Sequence, residues 1–226
     1  MIWFVFKDGP LNEFKQHILL CVLGVSSLFL FNEQFYILAS VLSLSLFHDN
    51  QFVNTCLHMF YQLLMAQAIL SMSSKNGWSS GLKLLHRRRI HWMLQVAGSS
   101  LSIAGSSIMI RHKSVNFNST HGKLGLAALV FAGASCINGL TSNYAKDLSR
   151  ILPPSLSKIT HILFGIVAFV MANVSLCYGF DTNAFRRWAG PGVTYAIMAV
   201  TGIFTFLVIA PSCVTCWRKT RSALQN

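Results

Sequence analysis

Acidic residues are the scarcest chemistry in this chain, at six Asp and Glu in 226 residues. Charge of either sign is thin as well, 11% against roughly 25% in an ordinary soluble domain. That scarcity excludes a cytosolic globule, a disordered tail and a coiled coil, all of which need charged faces toward water. A zinc site is not expected either, because it wants three or four N, S or carboxylate ligands at one depth and the apolar runs hold almost no acid. Nucleophilic hydrolysis, a flavin fingerprint and a nicotinamide fingerprint are equally unsupported. The six cysteines, Cys21, Cys56, Cys136, Cys177, Cys213 and Cys216, lie mostly inside apolar stretches, so no secreted disulfide framework is implied. No cleaved signal peptide, internal repeat, low-complexity tract or second domain is expected, and residues 1–226 read as one domain.

What is present is apolar length. The chain is 53% hydrophobic, with a mean hydropathy of +0.52. About 20 apolar residues are needed to cross the hydrocarbon core of a bilayer. Such runs fall at residues 53–72, 90–110, 121–140, 159–180 and 190–210. A sixth, irregular one is expected near the front, where 18–31 and 35–47 are interrupted by Asn32, Glu33 and Gln34. The expected fold is therefore all-α, a six-span transmembrane helical bundle embedded in a lipid bilayer. Lys and Arg outnumber Asp and Glu by 18 to 6, yet they sit in short loops, which signals topology and no nucleic-acid partner. Thirteen of them share one side if the N-terminus is cytoplasmic, against Arg111, Lys113, Lys123, Arg186 and Arg187 on the other. Both termini are then cytoplasmic, and the Asn118-Ser119-Thr120 sequon lies on the far side, close to the membrane.

Eight histidines are many for so apolar a chain, and an imidazole within a bilayer is costly enough to suggest function. Taken singly, each is more often a hydrogen-bonded packing residue or a helix-end cap. Their depths shift that balance. His91 and His161 open the third and fifth spans about one turn inside the cytoplasmic face, while His121 opens the fourth span from the opposite face, with His58 or His48 in reach from the second. Two pairs of histidines, each drawn from two helices and displaced toward opposite faces, are what a bundle needs to hold two haems by axial imidazoles. In the fourth span, Gly122, Gly125, Ala132, Gly133, Ala134 and Gly139 would let a neighbouring helix or a flat ligand come close.

These residues resemble the cytochrome b561 proteins, in particular the small six-helix branch of cytochrome b561 domain-containing proteins. The resemblance is clear from about residue 63 to 212. It rests on His91-Trp92 with Leu94 and Gln95, on His112-Lys113, and on His121-Gly122, Gly125-Leu126, Ala132-Gly133, Cys136 and Gly139. Lys158, His161 and Gly165 complete it. The resemblance implies an ascorbate-dependent transmembrane oxidoreductase with two haem b groups per chain. It would reduce monodehydroascorbate or ferric iron across the endoplasmic reticulum or another endomembrane, and a homodimer is a possible assembly. His91 and His161 would ligate the cytoplasmic haem iron, and His121 with His58 the other. Lys83, Arg87, Arg88, Arg89, Arg150 and Lys158 would attract the ascorbate monoanion and meet haem propionates.

One departure stands out. In the family the second-span ligand sits in a Trp-His-Pro context about 13 residues before the stretch that reads Ala66-Gln67-Ala68-Ile69-Leu70 here. Counting back places Val53 there, between Phe52 and Asn54. His58 lies five residues on, about 140° around the helix and about 7.5 Å along it. Three outcomes stay open: His58 ligates through a rotated or shifted helix, His48 reaches in, or the second haem is lost or held by His121 alone. Two other functions compete, a relative with one haem or none serving as a membrane scaffold or partner, and a histidine-lined proton or metal transporter.

Overall fold

A computed structural model describes residues 50–73, 76–144 and 153–225. The expected first span at 18–47, with Glu33, His48, Lys146 and Arg150, lies outside them. Among the described residues every regular element is a helix: α1 Asn50–Ser71, α2 Leu84–His112, α3 Thr120–Asn143, α4 Pro154–Phe180, α5 Asn183–Ala189 and α6 Pro191–Leu224. Helices α2, α3, α4 and α6 are long and apolar enough to cross a membrane. In α1 a shorter apolar stretch, Phe60–Ser71, stands out among the described residues. The short α5 was not expected from the sequence. It is seven residues long and carries Arg186 and Arg187.

Large apolar side chains such as Trp92, Ile103, Val130, Val200 and Phe206 are more than half exposed, as suits helices whose outer surface faces lipid tails. Local chemistry sets where each helix begins. Ser119 caps α3, its hydroxyl accepting the Gly122 N–H at 3.1 Å. Pro153 and Pro154 open α4, where the missing proline N–H would be unsatisfied anyway. Thr182 caps α5, and Gly190 turns the chain at φ 79° into Pro191 and α6. At that corner Arg186 bonds Asp181 and stacks 5.4 Å from the centre of the Tyr195 ring. The hydrogen bond to Asp181 pushes the already high guanidinium pKa further up, so the cation is permanent.

The chain forms two compact units, Met1–His112 and Lys113–Asn226. In the first, α1 and α2 make an antiparallel hairpin around Leu57, Phe60, Tyr61, Leu64, Met65 and Ala68. Gly98 lets Met65 approach, since a Cβ there would stand 3.3 Å from its Cε. Their connection is tied by Trp78 Nε1 donating to Gln67 Oε1 at 3.0 Å and Asn76 Nδ2 to Ser79 Oγ at 2.9 Å. In the second unit α3 and α4 pair antiparallel, and α6 lies against α4.

Candidate functional site

The α3–α4 pair is organised around its two histidines. His121 Nδ1 lies 2.7 Å from the carbonyl oxygen of Ser175, whose hydroxyl sits 3.1 Å from the same nitrogen and donates to the His121 carbonyl at 2.8 Å. At the other end His161 Nδ1 lies 2.8 Å from the Ser135 carbonyl, with the Ser135 hydroxyl 3.3 Å from that nitrogen and donating to the His161 carbonyl at 3.2 Å. A carbonyl can only accept, so both Nδ1 atoms carry a proton, and Nε2 is the ring nitrogen left to serve as a metal ligand.

Glycines make room for this arrangement. A Cβ at Gly139 would stand 3.1 Å from His161 Cε1, and one at Gly179 would stand 3.3 Å from His121 Cε1. Gly125 and Gly165 play the matching part for the serines, their Cβ positions lying 3.4 Å from Ser175 Oγ and 3.3 Å from Ser135 Oγ. The pattern His-x3-Gly-x9-Ser-x3-Gly thus occurs twice, at 121–139 and at 161–179. Its midpoints, Ala128 and Ala168, are both 4% exposed, which lets the helices meet closely there. This short repeat corrects the expectation that the chain has none. Each histidine precedes its alanine by seven residues, so the two rings lie fourteen residues apart along the antiparallel pair. At 1.5 Å per residue that is about 21 Å. Of the expected glycine stripe, Gly125 and Gly139 face α4, whereas Gly133 meets nothing within 4 Å among the described residues.

The first unit repeats part of the device. His91 Nδ1 lies 2.8 Å from the Ala68 carbonyl across the hairpin. One turn earlier on α2, Arg87 donates from Nη1 to the Met72 carbonyl at 3.3 Å, while its Nε is buried with no hydrogen-bond partner among the described residues. Lys83, Arg88 and Arg89 are exposed, and in the second unit Lys158 is half-buried. His58 is half-buried on α1. In the α1–α2 register Ala68 takes the place that the serines hold in α3 and α4, so the α1 counterpart of a histidine falls fourteen residues earlier, at Asn54, and opposite the buried Gly105. His58 then stands four residues past the expected place and turned by only about 40°, one helical turn along the same face, where counting from Val53 had given about 140°.

These residues fit a haem. Metal-bound histidines almost always donate the other ring N–H to a carbonyl, carboxylate or water, which fixes the tautomer and the ring plane. Three of the four expected ligands, His91, His121 and His161, do so to a backbone carbonyl of the neighbouring helix. The buried Arg87 Nε suits an anionic partner such as a propionate. Ser135 and Ser175 were not expected from the sequence, where their one mark is the 40-residue offset between two His-x3-Gly-x9-Ser-x3-Gly strings.

The profile of the eukaryotic cytochrome b561 family matches residues 53–186, which takes in most of α1, all of α2 to α4 and all four of these histidines. The curated proteins named transmembrane reductase CYB561D2 from Mus musculus and from Bos taurus are each 29% identical to this chain over 153 residues, 66% of it and 68% of theirs. The protein of the same name from Homo sapiens is 28% identical over an equal length. No solved structure matches the chain. The chain belongs to the cytochrome b561 family, all-helical membrane proteins of transmembrane electron transfer that bind haem b.

Proposed function

We propose that this protein takes single electrons from ascorbate at the cytoplasmic face of an endomembrane, such as the endoplasmic reticulum, and delivers them to monodehydroascorbate or ferric iron on the other side. The observation that carries this reading is the pair of Nδ1-anchored histidines, His121 and His161, about 21 Å apart along one helix pair. That is the spacing expected of two haem centres near opposite faces of a core about 30 Å thick. His91 with His161 would hold the cytoplasmic haem and His121 with His58 the other. Haem b, when bound, supplies a one-electron couple at each level.

The chain's own groups do the rest. Each Nδ1–H···O=C bond fixes the ring plane and would make Nε2 a more basic ligand for a haem iron. Arg87 offers a desolvated donor one turn from His91, where the carboxylate of a propionate or the oxygens of ascorbate would accept from it. Lys83, Arg88, Arg89, Arg150 and Lys158 raise the local concentration of the ascorbate monoanion, a contribution that salt screens. The test is a haem-to-protein ratio on the purified full-length chain, with its reduction by ascorbate. Two haems per chain and a reduced b-type spectrum support the reading.

Asn54 at the register position favours a second reading, a relative with one haem or none that serves as a membrane scaffold or partner. A folded, colourless protein would establish it.

A further inference from the structure

We propose that Ser135 and Ser175 are positioning residues that clamp the two axial histidines and set the reduction potentials of their haems independently. This inference rests on the haem assignment above. Each serine holds one histidine at two points across the helix pair, because its hydroxyl donates to the histidine carbonyl while its own carbonyl accepts the ring Nδ1–H. The hydroxyl proton is committed to that carbonyl, so the Oγ lone pairs face Nδ1 at 3.1 Å in one site and 3.3 Å in the other. The ring proton is therefore shared between two acceptors, the serine carbonyl and the serine Oγ. Two acceptors draw the proton further from the ring than one does, which makes Nε2 more basic and stabilises ferric iron.

Burial makes the arrangement rigid. Ser175 is 4% exposed and Ser135 7%, and the glycines at 125 and 165 bring the facing helix against each hydroxyl. An alanine at either serine keeps the backbone acceptor and removes only the Oγ, so the fold and the ligation survive while the ring loses its second acceptor. Because the Ser175 contacts are shorter than those of Ser135, the His121 site responds more strongly.

The experiment uses the full chain in detergent, with Ser175→Ala, Ser135→Ala and Ser175→Thr. Two quantities are read, the midpoint potential of each haem and the Nδ1–H resonance of each histidine in the diamagnetic reduced or haem-free protein. Ser175→Ala raises the potential of one haem by on the order of threefold in its reduction equilibrium, about 28 mV at 59 mV per tenfold for one electron, and moves the His121 proton upfield. Ser135→Ala does the same, less strongly, to the other haem and to His161. Ser175→Thr keeps the wild-type values because it keeps a hydroxyl. Unchanged Nδ1–H resonances in both alanine variants, or equal movement of both potentials in either one, would overturn the clamp. If the unmutated chain binds no haem, the functional reading fails, and the proton resonances still decide the clamp.

Discussion

A single methyl group at Gly139 should cost the protein a haem and leave its fold intact. The added Cβ would stand 3.1 Å from His161 Cε1 and 3.2 Å from its Nδ1, about half an ångström inside the usual contact between non-bonded carbons. To relieve that overlap the ring must withdraw by a few tenths of an ångström, and its 2.8 Å bond to the Ser135 carbonyl lengthens and weakens. Even its complete loss would cost only about 0.6 kcal/mol in a membrane helix pair. Replacing glycine by alanine within a helix returns roughly 1 kcal/mol, so the net effect on folding is close to zero. The effect on ligation is larger, because ligand distances are held to within about 0.2 Å, and disturbing the group that orients a metal-bound histidine typically costs 10–100-fold in affinity. Gly139→Ala is therefore expected to elute and melt like the wild type while its haem-to-protein ratio falls from two toward one. Gly133→Ala, where none of the described residues lies within 4 Å of the added Cβ, is the control and should keep both haems. Full haem content with an unaltered spectrum in Gly139→Ala would refute the reasoning.

Gly179→Ala should mirror that result at the other end, where the gap to the His121 ring is 3.3 Å, with a milder loss that a haem titration will show as weaker binding. His58→Ala should remove one haem absorbance component, and adding Asn54→His to it should bring that component back if the α1 register is right, as read by low-temperature difference spectra. Arg87→Gln should weaken ascorbate or haem retention at the cytoplasmic end by about tenfold, the loss of one charge-assisted bond of roughly 1.5 kcal/mol. Arg88→Gln, at an exposed position, should change the salt dependence of ascorbate reduction more than its low-salt rate.

The helices themselves were legible because each is a long apolar run with its charges at the ends. The capping chemistry of Ser119, Pro154 and Pro191 then fixes their first residues within a turn or so. The seven-residue α5 was not, since Asn183–Ala189 has no apolar periodicity and depends on Thr182 and Gly190 at its ends. His91, His121 and His161 stand out in the sequence by residue type and by their places near the ends of apolar runs. Their serine partners do not, because Ser135 and Ser175 are two small polar residues among several in apolar helices, and only the cross-helix register gives them a meaning. The same register moves the α1 position by one residue, from Val53 to Asn54. Sequence counting cannot supply that step, because it compares this chain with a motif and takes no account of its own neighbouring helix.

The near-identity of the two ends of the α3–α4 pair bears on the direction of traffic. Turned upside down, the hairpin presents the same imidazole, the same serine and the same pair of glycines, so under the proposed function it would be a wire without a rectifier. Which way current runs is then set outside it, by the donors and acceptors waiting at each mouth and by the voltage, which contributes about 2.3 kcal/mol per elementary charge for every 100 mV. Reversing the chemical gradient across a sealed vesicle should reverse the flow through the same protein.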